Sequence, residues 1–323
     1  MHGNRTEAKT KVYSLKPGAE DFPLMIPLSL SMVCNARCPI CPYVVDPSIP
    51  AKYKTVPYMP VDLFKKIADE ASCHNSYLRL SGREPTLHPS LVSLVEYAKD
   101  VGRNCKVGLI TNGSLLTSAL GVLLVDNEID SIEVSVDAAD TETYSRVRVG
   151  LDFDTMLSNV RQLVRWRDKF HSRTIIIASV INQKETSDKI DSIVSFWSKI
   201  VDNVQVRKYL TWGFLDTSKS GNDSPYLDED TPCPFPFERL NIDPLGDISL
   251  CGYDIGFDKA VLGNVYKQSI ASVWHGDELK RIRSLMLEKK WDKLPLCKKC
   301  TDRKFRSWDY TVWKVYKDAR RRK

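Results

Sequence analysis

From Pro27 onward the chain alternates short β-branched, apolar runs with longer stretches in which apolar residues recur every three or four positions. This is the pattern of repeated strand–helix units around a parallel sheet. The apolar runs predict strands at Leu28–Val33, Ser76–Ser81, Lys106–Thr111, Ser131–Val136, Thr174–Ile181 and Val204–Leu210. Between them, helices are predicted at Val61–Ala71, Ser90–Val101, Leu115–Val125, Met156–Lys169 and Ser187–Val201. The first helix places Leu63, Phe64, Ile67, Ala68 and Ala71 on one face, as the last does Ile190, Ile193, Val194, Trp197 and Ile200. Six such units are two short of a closed eightfold barrel, so the expected fold is α/β, a partial (β/α)6 TIM-like barrel.

Beyond residue 213 the period changes. Phe214–Pro232 is rich in Ser, Asp, Gly and Pro and reads as a linker. Glu238–Leu250 reads as two strands joined at Pro244-Leu245-Gly246-Asp247, and Ile270–Trp291 as one helix. The expected organisation is an N-terminal extension over 1–27, the barrel over 28–213, the linker over 214–232, a small α+β domain over 233–304 and a basic tail over 305–323.

With 323 residues, 42% hydrophobic and 27% charged, the composition is that of an ordinary globular protein. The longest strongly apolar stretch, Ile175–Ile181, is far short of the roughly 20 residues of a membrane span, and Met1–Phe22 lacks the apolar core of a signal peptide. A cytoplasmic protein with no membrane partner is expected. Lys and Arg outnumber Asp and Glu by 47 to 41, a formal charge of +6 that includes the terminal Arg320-Arg321-Arg322-Lys323. So small and diffuse an excess describes a solvated surface better than a phosphate-reading face, and no nucleic-acid partner is expected.

The nine cysteines change the picture, because seven of them fall into two groups. In a reducing compartment clustered thiols hold metal or carry redox chemistry. Cys34, Cys38 and Cys41 lie within eight residues, directly after the first predicted strand, where parallel-barrel enzymes place their chemistry. A zinc loop or three unrelated core thiols is the alternative, but zinc wants four ligands and no His lies nearby. Three thiols suit an iron-sulfur cubane with one iron left open.

The spacing Cys34-x3-Cys38-x2-Cys41 resembles the signature of the radical S-adenosylmethionine (radical SAM) enzymes, and further segments match in order. Ser81-Gly82-Arg83-Glu84-Pro85 resembles the family's GGEP segment, whose backbone meets the methionine amino group of SAM. Thr111 and Asn112 end the third strand, Ser135 lies on the fourth, and Tyr144-x3-Arg148-x-Gly150 resembles the segment whose Arg contacts the SAM carboxylate. The resemblance implies that Ser81, Gly82, Glu84, Pro85, Thr111, Asn112, Ser135 and Arg148 bind the cofactor. One departure stands out: Arg83 replaces the second glycine of GGEP, and either directs a cation toward the site or faces solvent.

Cys233-x17-Cys251-x45-Cys297-x2-Cys300 supplies four more thiols, which a zinc ribbon could also use. This region resembles the twitch or SPASM-type extension of radical SAM enzymes, which carries auxiliary 4Fe-4S clusters; four thiols imply one such cluster, closed, and two clusters in all. Cys73 and Cys105 precede strands, at the N-terminal face of a barrel, and read as core or near-surface thiols.

The four-cysteine arrangement is similar to that of aminocyclitol dehydrogenases of aminoglycoside antibiotic assembly. The resemblance implies SAM cleavage to a 5′-deoxyadenosyl radical, hydrogen abstraction from a carbinol carbon of a small polyol or amino sugar, and oxidation to a ketone with the auxiliary cluster as electron acceptor. It also implies a reduced flavodoxin or ferredoxin-type electron donor. Arg83, Arg207 and Lys208 are the candidates to deprotonate or orient the hydroxyl. Radical epimerisation of a sugar, peptide or protein maturation, and a non-catalytic iron-sulfur or zinc protein are the alternatives.

Overall fold

The computed structural model describes residues 13–102, 105–212, 217–221, 231–254, 259–300 and 302–305. Six strands alternate with helices: β1 (Met25–Ser31), α1 (Val61–Ser72), β2 (Tyr77–Gly82), α2 (Leu91–Asp100), β3 (Lys106–Thr111), α3 (Ser118–Asp126), β4 (Ser131–Ser135), α4 (Thr141–Val147), α5 (Phe153–Lys169), β5 (Ile175–Asn182), α6 (Ile190–Trp197) and β6 (Asn203–Lys208). All five neighbouring pairs among these strands are parallel, as helical crossovers require. The C-terminal part adds β7 (Asn241–Ile242), β8 (Asp247–Ser249), β9 (Val261–Asn264), α7 (Ile270–Trp274) and α8 (Asp277–Leu287). The nine strands form one sheet in the order β6-β5-β4-β3-β2-β1-β7-β8-β9. The small C-terminal part thus extends the barrel sheet, through the parallel pair Leu28 and Ile242.

Alternation along the strands sorts the two faces. Leu28, Leu30, Leu78, Leu80, Ile132 and Val134 are buried under the helices. Ser29, Arg79, Ser81, Glu133, Ser179 and Arg207 occupy the other, concave face, and several of these polar groups bond across it. Side chains cap α3, α4 and α5: Thr117 accepts from the Leu120 amide, Asp140 from the Thr143 amide and Asp152 from the Thr155 amide. The apolar face of α1 buries Leu63, Phe64, Ile67, Ala68 and Ala71 completely, at roughly 1.5–3 kcal/mol for each large side chain.

Several expectations need correction. The segment read as one helix over Ile270–Trp291 is broken at Gly276, which caps α8, and α8 ends at Leu287 shortly before Lys289 turns left-handed (φ 60°). The helix read over Ser187–Val201 shortens to α6, and β1 begins at Met25, inside the expected extension. The end of that extension is packed: Ala19 and Phe22 are buried, Ala19 accepts from the Trp274 indole at 2.8 Å, and Lys16 pairs with Glu238. α4 and β9 had no counterpart in the sequence reading. Most of the linker and nearly all of the basic tail lie outside the described residues.

Candidate active site and auxiliary cysteine cavity

The first cysteine group follows β1 on a loop tied down at both ends. Chain reversal begins where the Cys41 amide donates to the Cys38 carbonyl (3.0 Å), and Pro42–Val45 then forms a single helical turn. The Ala36 amide donates to Cys34 Sγ at 3.3 Å. Burial pushes the Cys34 and Cys41 thiols above their ordinary range, despite backbone donors that draw them down. Iron is the partner that would hold such buried sulfurs as thiolates.

Three neighbouring segments close on this one. Gly82, at the end of β2, has φ 112°, and a Cβ there would lie 2.5 Å from the Ser31 carbonyl oxygen, so only glycine fits. Arg83 and Glu84 then donate their amides to the Ser31 and Val33 carbonyls, at 2.8 and 3.1 Å. The left-handed residue of the segment is therefore Gly82, and Arg83 needs no special backbone. Asn112 Nδ2, at the end of β3, donates to Asn35 Oδ1 inside the cysteine loop at 2.9 Å. At Gly150 (φ 90°) an added Cβ would lie 3.5 Å from the Asn35 carbonyl oxygen, and the Arg37 amide donates to the Val149 carbonyl at 2.8 Å.

Arg148 is directed at the cysteine loop. Its Nη1 lies 3.9 Å from Cys38 Sγ and its Nη2 2.5 Å from Asp137 Oδ2. Burial works against the charged guanidinium, but Asp137 and Cys38 more than compensate and hold it protonated. Asp137 is fully buried, has φ 51° and accepts the Ile181 amide at 2.6 Å. Such a left-handed, non-glycine residue at a strand end is strain of the kind stored at functional sites. Tyr144 is fully buried beside Arg148, and its hydroxyl has no hydrogen-bond partner among the described residues. Neither Asp137 nor Tyr144 was assigned a role from the sequence, although a buried acid after a barrel strand is a readable signal.

Other expected site residues fall in different places. Glu84 is buried and accepts from Thr86 N (3.1 Å), Thr86 Oγ1 (2.6 Å), Thr111 Oγ1 (2.7 Å) and Asn112 N (2.8 Å). Its carboxylate knits loops together rather than facing an open site. Pro85 is buried in the following turn. Ser81 Oγ donates to the Leu28 carbonyl, and Ser135 stands at the C-terminal end of β4 opposite Ser179.

Arg207 donates twice to Glu133, at 3.0 and 2.8 Å, and also to Ser179 and Gln205. Arg79 reaches the same carboxylate at 3.1 Å. Burial alone would raise the Glu133 carboxyl, but Arg207 and Arg79 outweigh it and bring the group down to about 2. Of the two roles expected of Arg207, deprotonating or orienting a hydroxyl, this pairing favours the second, because a guanidinium offers donors and no acceptor for a proton. Arg83 Nη1 donates to the Met32 carbonyl, and its guanidinium lies 6.0 Å from the Tyr43 ring, partly buried rather than out in solvent. Lys208 ends β6 opposite Asn182.

The second group surrounds a cavity of its own. Cys233, Cys251, Cys297 and Cys300 all line it, with Tyr253 and Arg303 among their neighbours. Asp302 fastens the last of these to the barrel: fully buried, it accepts the Thr211 and Trp212 amides, each at 3.1 Å. Between the two cysteine groups runs an aromatic contact series. Tyr43, two residues after Cys41, meets Trp212 at 6.4 Å, and Trp212 meets Tyr253 at 4.5 Å. Both groups therefore suit multi-iron clusters: three thiols with a half-buried cation at the barrel mouth, and four around one chamber.

Comparison with known proteins supports both halves. The profile of the Radical SAM superfamily matches residues 28–185, and that of SPASM, an iron-sulfur cluster-binding domain, matches residues 233–301. The AdoMet-dependent heme synthase of Methanosarcina barkeri is 34% identical over 127 residues, 39% of this chain and 34% of that protein. A GTP 3',8-cyclase of Chlorobaculum tepidum is 31% identical over 145 residues, 45% of this chain and 41% of that protein. The chain thus spans about a third to two fifths of the length of these two relatives. The S-adenosyl-L-methionine-dependent 2-deoxy-scyllo-inosamine dehydrogenase of Niallia circulans is 23% identical over 281 residues, 86% of this chain and 92% of that enzyme. Among solved structures, BtrN in complex with AdoMet and 2-DOIA superposes with a TM-score of 0.62 at 20% identity, over 87% of this chain and 93% of that one. anSMEcpe with bound AdoMet and the Cp18Cys peptide gives 0.62 at 16% identity, over 92% and 95%.

Proposed function

The chain belongs to the radical SAM superfamily and carries a SPASM-type iron-sulfur domain, and we propose that it oxidises a carbinol carbon of a small polyol or amino sugar to a ketone. The observation that carries this reading is the cavity ringed by four thiols. Four thiolates occupy every iron of one cubane, which leaves the site no open position for substrate and suits it to accepting an electron. When bound, SAM and the first cluster supply a 5′-deoxyadenosyl radical that abstracts hydrogen, and the closed cluster supplies an acceptor for the electron left on carbon.

The chain's own residues do the holding. Asp137 fixes Arg148 so that its charge faces the cysteine loop, where a cofactor carboxylate would meet it. Gly82 brings bare backbone beside Ser31 at the barrel mouth. Glu133 holds Arg207 on the concave face, where guanidinium donors orient a substrate hydroxyl. Arg83 and Lys208 add positive charge at the same mouth, which helps the hydroxyl lose its proton as the carbon is oxidised. The coverage of the Niallia circulans dehydrogenase, 92% of its length, supports a small aminocyclitol-like substrate. No helix among the described residues is long and apolar enough to cross a membrane. A cytoplasmic enzyme served by a reduced flavodoxin or ferredoxin-type donor is part of the same reading.

Epimerisation would need a hydrogen donor, most simply a thiol. The two thiols outside the groups are badly placed: Cys73 is exposed at the end of α1, and Cys105 is buried just before β3, its thiol pushed up to about 12 by burial. A peptide substrate is the second reading, favoured by the fold likeness to the peptide-bound anSMEcpe. Anaerobic incubation with SAM and a panel of aminocyclitols, amino sugars and short peptides decides among them. Oxidation predicts a product two mass units lighter with no solvent deuterium on the reacting carbon. An unchanged mass in H2O that gains one deuterium in D2O refutes oxidation in favour of epimerisation.

A further inference from the structure

The auxiliary cavity has one charged wall. Among the described residues that line it, Arg303 is the one with a cationic side chain. It lies two residues past the SPASM match, which ends at residue 301. Its position is fixed from three directions. The guanidinium carbon sits 3.7 Å from the centre of the Trp291 ring, Nη1 donates to the Thr231 carbonyl at 3.2 Å, and the neighbouring Asp302 is anchored to Thr211 and Trp212. Only 7% of Arg303 is exposed. Thr231 is itself two residues before Cys233, so the same contact joins the first and last ligand segments of the cavity.

A buried arginine in the lining of a four-thiol cavity has an electrostatic consequence. A cubane with four thiolates carries a net negative charge that grows by one on reduction, and a fixed cation on the wall of a largely apolar cavity favours the more negative state. An arginine keeps that charge at any working pH. We infer that Arg303 is a positioning residue that raises the reduction potential of the auxiliary cluster, and so sets its readiness to take the electron left by the substrate. The electron balance is simple: the carbinol carbon loses a hydrogen atom, then its hydroxyl proton and one electron, and the oxidised auxiliary cluster gains that electron. The inference rests on the oxidation reading above.

The test reads potential, not turnover. In the full chain carrying Cys34→Ala, Cys38→Ala and Cys41→Ala, only the auxiliary cluster loads, and its potential is followed by anaerobic EPR-monitored redox titration. Arg303→Gln keeps a hydrogen-bond donor and removes the charge. It is expected to shift the reduction equilibrium at least about tenfold toward the oxidised cluster, 59 mV lower for a one-electron couple. Arg303→Lys, which keeps the charge, is expected to stay within about threefold of the parent, and iron analysis of each variant confirms loading. Should the glutamine variant load poorly, Arg303→Met is titrated with the same expectation. Loaded charge-removing variants with the parent potential overturn the inference alone. A parent chain that binds zinc in place of the auxiliary cluster overturns the oxidation reading, and the inference with it.

Discussion

Glu84→Ala separates a structural from a cofactor-binding role for the acid of the GREP segment. The carboxylate accepts four hydrogen bonds, two of them from Thr86 and two from the end of β3. Hydrogen bonds to a charged acceptor contribute about 1.5–3 kcal/mol each, but not additively, because they share one group. The Thr86 donors can turn to water. Thr111 Oγ1 and the Asn112 amide are buried and cannot, and each stranded donor costs about 1–3 kcal/mol. The expected loss is about 3–5 kcal/mol, a large share of the 5–15 kcal/mol typical of a domain. Urea unfolding of the reduced, metal-free chain, with parent and variant at equal m-value, measures it. Glu84→Gln, which keeps an acceptor, should lose about half as much. Were Glu84→Ala to unfold within about 1 kcal/mol of the parent while losing SAM affinity, the carboxylate would belong to the cofactor and the loop argument would fail.

Glu133 gives a pH prediction. Its folded carboxyl is held near 2, below the ordinary 4.5, so it stabilises the fold above pH 4.5 and loses that contribution as pH falls from about 4.5 to about 2. The contribution is on the order of 3 kcal/mol, and Glu133→Gln should flatten the acid limb of a stability-versus-pH curve over that window; an unchanged limb would show that Arg79 and Arg207 do not hold the group ionised. The cysteine groups should also separate by mutation. The parent should hold about eight irons and eight sulfides, and Cys34→Ala about four of each with no SAM cleavage, while Cys297→Ala should keep cleavage to 5′-deoxyadenosine but form little product. A Cys34→Ala chain that cleaves SAM at the parent rate would contradict the assignment of the first group.

Five of the six parallel strands were legible because their apolar positions are buried, and β6, half-buried with Val206 exposed, was legible from its alternation alone; the predicted ends lie within a few residues of the observed ones. What periodicity does not carry was missed. α4, TETYSRV, is a short polar helix held by the Asp140 cap and by burial of Tyr144 and Val147, and nothing in its pattern distinguishes it from a loop. Gly276 costs a helix only about 1 kcal/mol, so the break between α7 and α8 is set by packing rather than propensity. The cysteine spacings announced both groups, since ligands on one loop must be close in sequence. Their supporting residues come from other elements: Asp137 reaches Arg148 from the end of β4, and Arg303 reaches the second cavity from beyond its last cysteine. Glu133 could have been found, because an acid buried between Ile132 and Val134 inside a strand demands a cationic partner.

The fate of the hydrogen on the carbinol carbon tests the central claim most directly. An aminocyclitol carrying deuterium on that carbon, turned over anaerobically with SAM, should place one deuterium in 5′-deoxyadenosine and yield a ketone three mass units lighter than the labelled substrate. A product only one mass unit lighter, with solvent hydrogen in place of deuterium, or 5′-deoxyadenosine formed without deuterium, would contradict it.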